Sequence, residues 1–580
     1  MKTTKPVLII MIIIIIAISA CEDYLTVNPK GILSERQLND PKYLDGFVNA
    51  AYAHMLLQDQ WGTLRFTFHG CARSDDSYKG GSGIDDNLHW YSMELFKTNS
   101  SVTGLNALWY DPYATIRRCN VALKFLNDVE VEDYPKKTER MGEVRFLRGL
   151  IYFKLRILFK WVPWIDEKVP DNEYNNVSNR PDEVVNDQDQ WLWQHIYDDF
   201  KFALDNLPEV QEEKGRCTKY AAEAFLVRTL LFMAYEQDEN YQIKNINNEM
   251  LSEALGYCDE IIASNKYDLC DDFANNFLPE YDNNTPESIW ELQFSINDGL
   301  PQGRLDWGNQ LNAPAWEPYF QCCDFHKPSH NLVNAFKTDE NGLPLFDSYN
   351  NEEITDNPNY FTDNTFDPRL SHTVAIPGYP WKYNAELIFD STARAPLTYG
   401  YFNSMKENVS PDCPCVYKPS NLVANSMNKR EVRYAEVLLW KAEILIQLDR
   451  HLEALPIINQ IRERAAKSVD RLIFADDSYY LNYNAGLYED GVNCNWDRDF
   501  AFQALVWENR LEMACEGRRF FDLVRWGIAE EVLNEYFLKE GERFFYLKNG
   551  YFTSGRDEYL PIPDGAMDRA RGVYVQNIGY

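Results

Sequence analysis

Apolar residues recur along much of this chain at the three- and four-residue spacing of a helix face, and they do so in successive pairs of segments. Ala224, Val227, Leu231 and Ala234 follow the pattern. So do Val432, Ala435, Leu439, Ala442 and Ile446, and again Ala504, Trp507, Leu511 and Ala514. The patterned segments come two by two across short polar turns: 108–129 with 137–160, 191–207 with 218–236, and 433–448 with 452–466. Such a pair buries its apolar stripe only against a neighbouring pair, so units of roughly 34 residues stack into a superhelix. The expected fold is therefore mainly α, a tetratricopeptide-like helix-pair superhelix. Between residues 267 and 428 the periodicity gives way to Gly, Pro, Asn and Asp among scattered aromatics. That composition predicts an inserted irregular, loop-rich lobe containing short strands, with helical regions 21–266 and 429–580 on either side. A second loop-rich stretch, 61–102, contains Lys79-Gly80-Gly81-Ser82-Gly83. Long loops on a rigid frame are where binding residues concentrate.

The N-terminus reads as an export signal. Lys2 and Lys5 precede an apolar run from Val7 to Ile18, and Ser19 and Ala20 lead into Cys21. The run is too short for a comfortable membrane span. The ending Ile18-Ser19-Ala20-Cys21 resembles a bacterial lipobox, which predicts removal of residues 1–20, acylation of Cys21 and attachment to a membrane through lipid. With 580 residues, of which 45% are apolar and 14% aromatic, the mature chain has ample material for a large core. Its net charge of −32 disfavours nucleic acid, which demands a basic patch, and disfavours strongly polyanionic ligands.

The chain has twelve cysteines, and setting Cys21 aside leaves an odd number. Cys119, Cys258 and Cys515 fall in helical patterns and read as small core residues. Cys322-Cys323 and Cys413-Pro414-Cys415 are the only close pairs, in loops and in an open redox state. They lack the two-knuckle spacing of a zinc site, so no metal and no cofactor is expected. The metalloprotease HExxH string and the phosphate-binding P-loop are absent. Glu508, Glu512 and Glu516 stand four apart on one helix face, with Arg510, Arg518, Arg519 and Arg525 close enough to answer them. Such cations depress carboxylate pKa values and disfavour a general acid, so the motif reads as scaffold and no catalytic residue is assigned.

Seven stretches stand out in order along the chain: Gly142–Pro163 (GEVRFLRGLIYFKLRILFKWVP), Pro286–Phe294 (PESIWELQF), Asp367–Leu370 (DPRL) and Arg433–Leu439 (RYAEVLL). Then follow Glu508–Gly527 (ENRLEMACEGRRFFDLVRWG), Leu560–Pro563 (LPIP) and the terminal Gln576–Tyr580. Together they resemble the SusD/RagB family of outer-membrane nutrient-binding lipoproteins. The resemblance implies four tetratricopeptide-like helix pairs cradling an irregular lobe, a location at the outer membrane facing outward, and a SusC-like TonB-dependent transporter as partner. It also implies an oligosaccharide ligand, or in some members a peptide. A secreted glycosidase and a purely structural repeat adaptor are the competing classes.

A sugar presents apolar C–H faces and hydroxyls, so its site needs flat aromatics with a few polar partners. Two stretches carry that mixture. Ser74 to Tyr91 supplies Asp76 and Trp90, with Arg73 just before it, and the run from Gln302 to Phe320 supplies Trp307, Trp316 and Tyr319. These six are the expected ligand-binding residues.

Overall fold

The computed structural model describes residues 40–55, 63–181, 188–299, 303–355, 357–390, 392–419 and 423–580. Cys21 and Trp61 lie outside them. The framework consists of α1 (Leu44–Met55), α2 (Gly104–Asn127), α3 (Lys137–Phe159), α4 (Gln188–Asn206), α5 (Lys219–Ala234) and α6 (Asn248–Ala263). After the lobe come α7 (Tyr434–Gln447), α8 (His451–Lys467) and α9 (Arg498–Met513). From α2 to α9 each helix packs on the next in chain order, α6 meeting α7 across the inserted lobe, and α1 covers α2 and α3.

The reasons are local. Helix α5 is apolar nearly all round because it is enclosed on several sides, burying Phe225, Leu226, Leu230 and Leu231 together. Helix α6 has one apolar stripe, Leu251, Ala254, Leu255, Cys258 and Ile261, and one wet face. Side chains stop the free N–H groups at helix starts: Thr218 accepts from Ala221, Asn247 from Glu249 and Met250, and Asp497 from Phe500.

Between α6 and α7 no helix among the described residues exceeds six residues. Short strand pairs stitch this lobe to the frame. Strand β1 (Ser77–Gly80) runs antiparallel to β3 (Phe325–Pro328), pairing Ser77 with Pro328 and Gly80 with Phe325. Strand β2 (Ser288–Leu292) pairs with β6 (Lys429–Arg433), which leads directly into α7. A small hairpin, β4 (Val416–Tyr417) with β5 (Ala424–Asn425), packs on the lobe, both residues of β5 being buried.

The expected partners of the glutamate motif are wrong. Glu508 pairs with Arg369 at 2.6 Å and Arg462 at 3.0 Å, and Glu512 lies between Arg369, Arg433 and Arg464. The arginines nearest in sequence turn elsewhere: Arg510 and Arg519 to Asp75, Arg518 to Glu436, and Arg525 to Glu443 and Asp522. The helix ends at Met513, and Cys515 and Gly517 take positive φ angles of 63° and 82°, so the arginines after this turn leave the glutamate face. A side chain at Gly70 would collide with the Gly517 carbonyl, so both positions need glycine for this close backbone crossing.

Cys322 is disulfide-bonded to Cys323, and Cys413 to Cys415. Cys71, Cys119, Cys217, Cys258, Cys270 and Cys515 are free and buried, and Cys494 is free and half-buried.

Candidate functional site

The first candidate stretch is interior from Arg73 to Gly81, whereas Ser82, Ile84, Asp85 and Leu88 beyond it are exposed. Arg73 is buried, donates to the Asp557 carbonyl at 2.9 Å and places its guanidinium 4.0 Å from the Phe520 ring. Asp76 is buried against Arg510 at 3.1 Å. Burial disfavours the ionised form of neighbouring Asp75, but Arg510 and Arg519 more than offset that and hold its pKa at about 2. Trp90 is buried too, stacked on Phe68 at 4.6 Å and edge-on to Phe325 at 5.3 Å. These three residues are therefore corrected from ligand contacts to packing. The polarity of Arg73 and Asp76 suggested a wet loop, yet their partners come from the C-terminal region, hundreds of residues away in the chain, while Trp90 is closed in by Phe68 and by Phe325 of the lobe.

The second stretch divides. Trp316 is only 3% exposed and sits in a cluster with Phe320, Trp381 and Phe389, its ring 5.2 Å from Phe389 and 5.7 Å from Trp381. It too is a packing residue, the floor of the lobe. Tyr319 lies 4.8 Å above it and is 37% exposed. Trp307 is half-buried, with its ring edge-on to the half-buried Tyr417 at 6.0 Å.

Two ties bring these rings onto one rim. The Asp306 N–H donates to the Asn425 carbonyl at 2.9 Å, fixing the Trp307 segment to the β4–β5 hairpin. The exposed Lys418 ammonium donates to the carbonyls of Pro318 at 2.9 Å and Tyr319 at 2.7 Å, fixing that hairpin to the Tyr319 loop. The rim therefore combines Trp307, Tyr417 and Tyr319 with a cation held by main-chain oxygens. Sequence reasoning missed Tyr417 and Lys418. The available signal was an aromatic-Lys step just after the Cys413–Cys415 pair.

Elsewhere, two clefts of about 400 and 440 Å³ flank the Glu213–Arg216 turn. Tyr52 and Phe294 line the first and Tyr267 the second, with Trp290 shared; Tyr52 donates to Glu143, and Trp290 donates to the Gly215 carbonyl. Among the described residues no cluster of His, Cys, Asp or Glu is arranged to hold a metal ion, and no helix is long and apolar enough to cross a membrane.

The model of the SusD family matches residues 286–580, more than half of the chain. The chain belongs to the SusD family. A second family model, starch-binding proteins associating with the outer membrane, matches residues 75–231. The SusD-like protein P2 of Formosa agariphila is 24% identical over 99% of both chains. A SusD homologue from Bacteroides thetaiotaomicron superposes with a TM-score of 0.69 at 19% identity, over 94% of this chain and 99% of that one. A laminarin-binding SusD-like protein gives 0.64 at 22% identity, covering 93% and 99%. Surface glycan-binding protein A of Bacteroides thetaiotaomicron, solved with laminarihexaose, gives 0.61 at 19%, covering 92% and 99%. At these identities the likeness is one of fold. The SusD fold of this chain is mainly α, with helix pairs around a loop-rich lobe.

Proposed function

We propose that this SusD-family chain is a surface receptor that binds an extracellular oligosaccharide or polysaccharide and delivers it to a SusC-like TonB-dependent outer-membrane transporter. The observation carrying this reading is the rim of Trp307, Tyr417 and Tyr319 beside Lys418, which supplies aromatic faces for sugar C–H surfaces and a donor for hydroxyls. Two family relatives are named for binding laminarin or carrying laminarihexaose, which is compatible with that chemistry. The role is capture without turnover. Glu508 and Glu512, the carboxylates that most resemble a catalytic pair, are sealed from solvent by arginines. In this reading regions 21–266 and 429–580 form the frame, the lobe 267–428 carries the rim, and 61–102 supports the lobe. Acylated Cys21 tethers the mature protein to the outer membrane, facing outward.

Calorimetry on the soluble form lacking residues 1–21, against laminarihexaose and a panel of neutral oligosaccharides, tests the reading. Saturable binding without product is expected. Trp307→Ala is expected to weaken it at least several-fold, since an aromatic contact contributes about 0.5–1.5 kcal/mol beyond its buried area and about 1.4 kcal/mol is tenfold. Product release, or affinity unchanged in the folded variant, overturns it. For the anchor, fatty-acid label retained by Cys21→Ala overturns the lipoprotein assignment.

A further inference from the structure

A second aromatic surface lies on the lobe apart from the rim. Phe361, Tyr379, Phe474 and Tyr483 are half-buried there, and Tyr479 is 55% exposed. Tyr379 is the hub: its ring lies 5.8 Å from Phe474 at an interplanar angle of 33°, and 6.0 Å from Phe361. Tyr479 meets Tyr483 edge-on at 6.3 Å. Three segments distant in sequence converge to make this face, and their backbones are fixed. Phe474 N–H bonds to the Ser478 carbonyl, Asn482 donates to the Thr362 carbonyl at 2.9 Å, and Gly378 N–H bonds to the Phe389 carbonyl. The hydroxyls of Tyr379 and Tyr479 have no hydrogen-bond partner among the described residues, and Tyr480, buried beneath, also holds an unpartnered hydroxyl.

We infer that this face is a second contact for the same glycan chain, taking neutral hexose units further along a polymer. The inference rests on the glycan-binding reading above. Open phenol hydroxyls suit a ligand carrying hydroxyls better than the apolar face of a protein partner. Exposed Asp363, Asp476 and Asp477 rim the patch and repel anionic chains. The turn bearing Tyr379 continues into Trp381, on which Trp316 packs beneath Tyr319, so both surfaces share one support. A polymer held at two points gains avidity that a short oligosaccharide cannot.

Native affinity electrophoresis tests this in gels containing laminarin, amylopectin, galactomannan or xylan. In the gel that retards wild type most, Tyr379→Ala/Tyr479→Ala is expected to lower affinity about three- to ten-fold. Calorimetric binding of the matching hexasaccharide should be unchanged. Tyr479→Ala alone, which removes an exposed ring and leaves no cavity, gives a smaller loss in the same direction if the double variant fails to fold. Retardation unchanged in folded variants overturns the second contact while leaving the rim reading intact. Retardation that survives Trp307→Ala/Tyr319→Ala but not the Tyr379 and Tyr479 changes overturns the rim reading instead. If no polysaccharide retards wild type, both fall.

Discussion

Trp307 and Trp316 are nine positions apart in one loop and alike in chemistry, yet the fold gives them opposite environments. Trp316→Ala removes a ring enclosed by Trp381, Phe389 and Phe320, so it should destabilise the lobe by about 3–5 kcal/mol, with a clear fall in Tm. Trp307→Ala should leave Tm nearly unchanged and act on affinity. Thermal melts of both variants check the pair, and equal Tm losses would refute the division. Glu512 follows a similar logic of enclosure. Burial alone raises its pKa, but Arg464, Arg433 and Arg369 outweigh that and hold it well below the usual carboxylate range. Glu512→Ala leaves those arginines buried without their partner and should destabilise by about 3–5 kcal/mol. Denaturant titration measures this, and ligand affinity per folded molecule should stay as in wild type.

At the scale of elements, the β4–β5 hairpin is too short to hold its own position, since two strands with a turn are marginal by themselves. Its place depends on Asp306 binding Asn425 at one side and Lys418 reaching the Tyr319 loop at the other. Lys418→Met keeps the aliphatic stem and deletes both donors. Because the ammonium is exposed, stability should fall by less than about 1 kcal/mol. Affinity should fall several-fold as Tyr417 and Tyr319 lose their relative placement, and calorimetry beside a melt separates the two effects. Helices, by contrast, carry their instructions locally. Asn247 caps α6 through two N–H groups, and Asn247→Ala should lower stability by about 1 kcal/mol without touching binding.

The whole molecule holds a network of buried ion pairs, and that sets its response to pH. Glu512, Asp75 and Glu431 have folded pKa values below their ordinary ones, the last two at about 2. Their charged forms are favoured in the fold, so their stabilisation is full above an unfolded carboxylate pKa of about 4–4.5 and is lost as pH falls through the folded values. Glu94 acts in the opposite sense. Burial raises its pKa to about 7, so its contribution is full below 4.5 and lost as pH rises through 7. Tm should therefore peak at mildly acidic pH, fall steeply below about 4 and decline gently between about 5 and 7. Calorimetric scans across this range check it, and a Tm flat between pH 3 and 5 would refute it. Helix pairing and the loop-rich lobe were legible in the sequence because amphipathic spacing, caps and turn residues act within a few positions of themselves. The residues of the lobe that carry rings were legible as well, Trp307 and Tyr319 among them. The choice of which rings face water was not. Trp90, Trp316, Arg73 and Asp76 are buried by partners such as Phe325, Trp381, Phe520 and Arg510, which lie far from them along the chain. Exposure is a property of the assembled surface, so only the tertiary structure decided which aromatics became floor and which became rim.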